Sequence, residues 1–150
     1  MVKDLLYECP IAVDLTSAAQ LNLIRTKADF LLASGISTDD LVTLEKQLIH
    51  EMDDVSPIAL IAVKLARSKR FVDSINQPLR VSVVFAAYKE TTRIRTKEEH
   101  PHGEDFLNQK IAQLNWLFDN TNIEWKLILV DDGCPDGSGK IAQEIIHENQ

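Results

Sequence analysis

Residues 127–146 read LILVDDGCPDGSGKIAQEII. An apolar run passes through a Gly-rich acidic loop into a helix-like pattern, as several phosphate- and metal-binding motifs do. A P-loop needs four residues between its Gly and the Gly-Lys, then a hydroxyl. Here five residues separate Gly133 from Gly139-Lys140, and Ile141 stands where the hydroxyl belongs. A dinucleotide fingerprint needs its first Gly directly after the strand, but Asp131 to Asp136 precede Gly137-Ser138-Gly139. An EF-hand loop starting at Asp132 would put Cys134 and Gln143 at liganding positions, and neither suits calcium. What remains is a pair of acids, Asp131 and Asp132, at the carboxyl end of a buried strand, where open α/β sheets bind ligands. Gly133 supplies the turn, and Asp136 or Ser138 can cap the helix that follows. The plainer alternative is that both acids only cap and solvate a turn.

Upstream of this loop, Arg80 to Glu90 reads RVSVVFAAYKE. Its near-continuous β-branched and aromatic residues predict a strand buried on both faces, as in a parallel sheet. Residues 91–105 are polar, with Pro101 and Gly103, and read as a loop. A helix capped by Asp105 follows, burying Leu107, Ile111, Leu114, Leu117 and Phe118. Asn120 to Asn122 form a turn, residues 125–130 a second buried strand, and residues 139–148 a second helix. Strands alternating with such helices imply parallel crossovers and an α/β class.

The N-terminal half reads differently. Thr16-Ser17, Ser37-Thr38 and Ser56 each open a helical pattern, and Pro57 suits the first position of the third. Leu21, Ile24, Ala28, Leu31 and Leu32 line the first helix, with Gly35 as its stop. Leu41, Leu44, Leu48 and Met52 line the second. Ile58, Ile61, Ala62 and Leu65 line the third, which Phe71, Val72 and Ile75 can extend. Lys64, Arg67, Lys69 and Arg70 make its end basic, and read as cations at a helix C-terminus and on a solvated face. The expected division is a helical extension over residues 1–79 and an α/β part over 80–150.

A net charge of −7 argues against nucleic acid as a main partner. No apolar run reaches the roughly 20 residues of a membrane span. Asp4 and Glu8 do not suit a secretion signal. Cys9 and Cys134 make neither a disulfide framework nor a zinc spacing. The expected location is therefore cytoplasmic.

The two strand ends together, VSVVFAAYKE and LILVDDGCPDGSGKIAQEI, resemble the opening of the family 2 glycosyltransferases, which have the GT-A fold. Their first strand typically reads V-S-V-V-I-P-A-Y-N-E, and their second ends V-D-D-G-S-x-D-G-T. The resemblance covers about residues 80–148. It implies the first β-α-β-α of a Rossmann-like nucleotide-binding half. Ala86, Ala87, Tyr88 and Glu90 would line the nucleotide site with Gly133, Asp131 would read the base, commonly uracil, and Asp132 would support the loop or nucleotide. The implied reaction transfers a sugar from a nucleotide sugar, a UDP-sugar first of all, to an acceptor hydroxyl, with Mg²⁺ or Mn²⁺ neutralising the diphosphate. Ala86 stands where the family usually has Pro, Lys89 where it has Asn, and Cys134 where it has Ser. The family's metal-binding D-x-D and catalytic base lie beyond the matched region, so no catalytic residue is assigned. The expectation is an N-terminal portion of a longer transferase, inactive as it stands and prone to self-association through uncovered sheet.

Other features read as structural. His100-Pro101-His102 lacks a third metal ligand. Trp116 and Trp125 suit packing. A rival reading makes residues 16–76 a protein-interaction surface, with the α/β half as scaffold. A response-regulator-like domain would need further strands carrying its phosphorylated Asp and Lys.

Overall fold

The computed structural model describes residues 12–51 and 55–149. They form six helices and a two-stranded parallel sheet. Packing divides the chain into two compact units, Met1–Ser74 and Ile75–Gln150.

The first unit holds α1 (Ala18–Ala33), α2 (Thr38–His50) and α3 (Pro57–Asp73). Each begins on a serine whose side chain satisfies an orphan N–H of the first turn. Ser17 accepts from Gln20, Ser37 from Asp40 and Ser56 from Ile58. α1 stops at Gly35, whose φ of +74° is costly for any residue with a β-carbon. Ile24, Ala28 and Leu31 from α1, Leu41, Leu44 and Leu48 from α2, and Ile58, Ala62, Val63 and Ala66 from α3 are buried. Met52 lies outside the described residues. Within the extension of α3 only Val72 is buried; Phe71 is 70% exposed and Ile75 falls beyond the helix.

The basic end of α3 ties the unit together instead of simply facing water. The Arg70 guanidinium donates from Nη2 to the carbonyls of Ile36, at 3.0 Å, and Leu32, at 3.4 Å. It thereby caps the C-terminal end of α1, where carbonyls lack intrahelical partners. Arg67 pairs with Glu45 of α2, and Lys69 with Asp73 one turn on.

The second unit runs β1 (Leu79–Ala87), α4 (Thr91–Ile94), α5 (Phe106–Phe118), β2 (Ile123–Asp131) and α6 (Ser138–Glu148). β1 and β2 pair in parallel, from Leu79 opposite Ile123 to Ala87 opposite Asp131. The core joins Ile94, Leu107, Ile111 and Ala142 to Phe85, Trp125, Leu127 and Leu129. Both α5 and α6 therefore lie on the face of the sheet that carries these strand residues.

That arrangement corrects the expectation of strands buried on both faces. Burial alternates along each strand. Val84 is 65% and Val130 47% exposed, so the second face is open among the described residues. The residues are apolar enough for a doubly covered sheet, but both helices pack on one side. The loop expected over 91–105 also holds a short helix, α4, anchored by buried Ile94. Asp105 does not cap α5. It takes a left-handed φ of 47°, and its carboxylate accepts from the Asn108 side chain at 2.8 Å.

Candidate functional site

The parallel register sets Ala87 beside Asp131, so both strands end level and their two loops emerge side by side. This is the carboxyl edge at which open α/β sheets bind ligands. The seven residues expected to line a nucleotide site divide into three groups here.

Ala86 and Ala87 close β1, the first exposed and the second buried. Their small side chains leave the strand end open to close approach. Tyr88 is 54% exposed, and the Lys89 ammonium stands 5.5 Å from its ring centroid. That ring is the accessible flat surface at the edge.

Glu90 is not an open carboxylate. Both of its oxygens accept from Arg93 Nη1, at 3.1 and 3.3 Å. Arg93 also donates from Nε to Glu104 at 3.0 Å and lies 4.8 Å above the Phe106 ring. The Glu104 hydrogen bond, ahead of the Coulomb attraction of Glu90, raises the Arg93 pKa further above its usual range. Glu90 thus holds α4 in place rather than presenting free charge.

The acidic loop forms the third group. Asp131 Oδ1 accepts from the Cys134 amide at 3.1 Å, while its carboxyl group lies against Gly139 in the first turn of α6. Asp132 is exposed. Gly133, at φ +67°, makes the turn between them and α6.

A residue outside the expected set knits the two loops together. Asp136 accepts through Oδ2 from the Thr91 amide at 3.3 Å and through Oδ1 from the Ser138 amide at 3.0 Å. Its backbone carbonyl takes the Thr91 hydroxyl at 3.1 Å. The Cys134 thiol donates to Asp136 Oδ1 and its sulfur accepts from the Lys89 amide at 2.9 Å. These bonds, the Cys134 thiol first and Thr91 next, hold the Asp136 carboxyl well below the usual carboxylate range. The N-cap of α6 is Gly137, which makes no side-chain cap bond, so neither Asp136 nor Ser138 is the cap expected; Asp136 takes the Ser138 amide from one position earlier. Its bonds to Thr91 had no local signal, because they exist only once the strands are in register. Cys134, a weak cap, serves here as a bridge to Lys89.

The His100–His102 loop is internally bonded. The Nδ1 of His100 accepts from the His102 amide at 3.1 Å, and the Gly103 amide donates to the His100 carbonyl at 2.8 Å. A β-carbon at Gly103 would run into the carbonyls of Arg95 and Thr96, so the loop closes only with glycine there. Among the described residues no group of three His, Cys, Asp or Glu side chains could hold a metal ion. No helix among the described residues is long and apolar enough to cross a membrane.

No protein-family model matches the chain, and neither curated proteins nor solved structures give a match. The functional reading therefore rests on the motifs and the geometry of the edge.

Proposed function

We propose that residues 75–150 bind the nucleotide of a nucleotide sugar, a UDP-sugar first of all. The chain would act as the N-terminal portion of a transferase that moves the sugar to an acceptor hydroxyl. The observation that supports this most is the register, Ala87 opposite Asp131. It puts the AAYKE and VDDG ends next to each other, on one edge, as a shared nucleotide pocket requires. In this reading the Tyr88 ring offers a stacking surface for a base, and Asp131 keeps lone pairs free to accept a base N–H. Asp132 and the open Gly133 turn flank the ligand. Glu90 acts indirectly, through Arg93.

A calorimetric titration of the chain with UDP tests the proposal. Saturable binding is expected. Asp131→Ala should weaken it about tenfold or more, as loss of a hydrogen bond to a charged group does. Lys126→Ala, toward the opposite end of β2, should leave it unchanged. Absence of saturable binding, or equal affinity in Asp131→Ala, overturns the proposal.

The rival reading, protein interaction through the helical unit, has one observation in its favour. Phe71 at the end of α3 is 70% exposed and Phe30 near the end of α1 is 42% exposed. Exposed aromatics are enriched at protein interfaces.

A further inference from the structure

Gly139 is the second residue of α6 and is buried. Its φ lies outside the left-handed region, so the backbone does not call for glycine. Space does. A β-carbon on residue 139 would overlap Oδ2 and Cγ of Asp131 and come within 2.8 Å of Asp131 Cβ. On the other side, Asp131 Oδ1 is bound by the Cys134 amide. The carboxylate is wedged between a turn amide and the first turn of a helix, where the helix dipole favours negative charge. Inside a helix, alanine favours folding about fourfold over glycine. Glycine here gives up that advantage and leaves a slot of carboxylate size.

We infer that Gly139 is the positioning residue of the nucleotide edge: its missing side chain holds the Asp131 carboxylate in one rotamer, ready to accept a base N–H. The inference rests on the nucleotide reading for the role of Asp131, but the slot itself is a property of the folded chain. A carboxylate already ordered before binding gives up little rotamer freedom when a base arrives. A methyl group at 139 would push the carboxylate out of the slot, lose the Cys134 hydrogen bond and leave Asp131 mobile at the edge. Base discrimination should then fall while the rest of the edge persists.

Two measurements on the whole chain test this. In urea unfolding without ligand, Gly139→Ala should lower the folding constant about tenfold in the native background. In an Asp131→Gly background, which removes the colliding atoms, the same change should be neutral or favourable by up to about fourfold. Equal loss in both backgrounds overturns the slot. The second measurement compares affinity for UDP with affinity for its N3-methyl analogue, which lacks the base N–H. The native chain should prefer UDP at least tenfold, and Gly139→Ala, checked for folding by circular dichroism, should bind the two alike. A native chain that binds UDP while Gly139→Ala keeps the full preference overturns the positioning role alone. A native chain that binds neither nucleotide overturns the nucleotide reading and the base-reading role with it, while the unfolding comparison still decides the slot.

Discussion

Ile94 is the one buried residue of the four-residue helix α4, and it packs with Leu107, Ile111 and Ala142 in the core beneath the sheet. Replacing it with alanine removes three carbon groups beyond Cβ. At about 0.8 kcal/mol each, their transfer accounts for roughly 2.4 kcal/mol. Neighbours only partly fill the cavity, which brings the expected loss to about 3–4 kcal/mol. Ile94→Val removes one carbon and should cost about 1 kcal/mol. A unit the size of Ile75–Gln150 has a total stability of roughly 4–11 kcal/mol, so the alanine variant should sit near its limit. The assay is urea unfolding followed by tryptophan fluorescence. Trp116 lies in α5 and Trp125 in β2, so the signal reports the α/β unit and not the helical one. The same loss should appear in the exchange of the Ile94 amide, which donates to the Glu90 carbonyl at 2.9 Å. If Ile94→Ala costs under about 1 kcal/mol, or less than Ile94→Val, the core described here is wrong. The loop after β1 would then owe its position to Asp136 and Arg93 alone.

Two further outcomes follow from the polar contacts. The folded pKa of Asp136 lies below its unfolded value, so its contribution to stability is present above the unfolded pKa of about 4 and is lost as pH falls through the folded one. Asp136→Asn should therefore flatten the fall in melting temperature between about pH 5 and pH 2; an equal fall in both proteins would refute the link. Arg70→Met should destabilise the helical unit by about 1.5–3 kcal/mol, because the carbonyls of Leu32 and Ile36 lose a charged donor. A loss of helical signal at the same urea concentration as the native chain would show the cap to be idle.

Much of the helical unit could be read from the chain because its signals are local. A serine two or three residues ahead of an orphan amide, or a proline in the first turn, acts on its own neighbours. Ser17, Ser37 and Ser56 cap as their positions imply. Asp105 failed as a cap because its side chain found Asn108 and its backbone turned left-handed, an outcome that depends on how the preceding loop closes over Gly103. Short polar α4 carries too little periodicity to announce a helix, and it is held by Ile94 reaching a core assembled from residues up to Ala142. At the candidate site the acids and the small residues were evident, but their partners were not. Glu90 looked open until Arg93 and Glu104 were seen around it.

Apart from α4 and the start of α5, local signals along the chain set the three serine caps, the strands and longer helices, the parallel α/β character of the second unit and the edge at which its polar residues gather. Each of these follows from periodicity or from contacts within a few residues. Four features have no local signal: which face of the sheet is covered, the bridge from Asp136 to Thr91, the cap that Arg70 places on α1, and the room that Gly139 leaves for Asp131. All four share one cause. Side chains distant along the chain meet only after strand register and helix packing are set, and a hydrogen bond or a collision has no meaning until both atoms have a place.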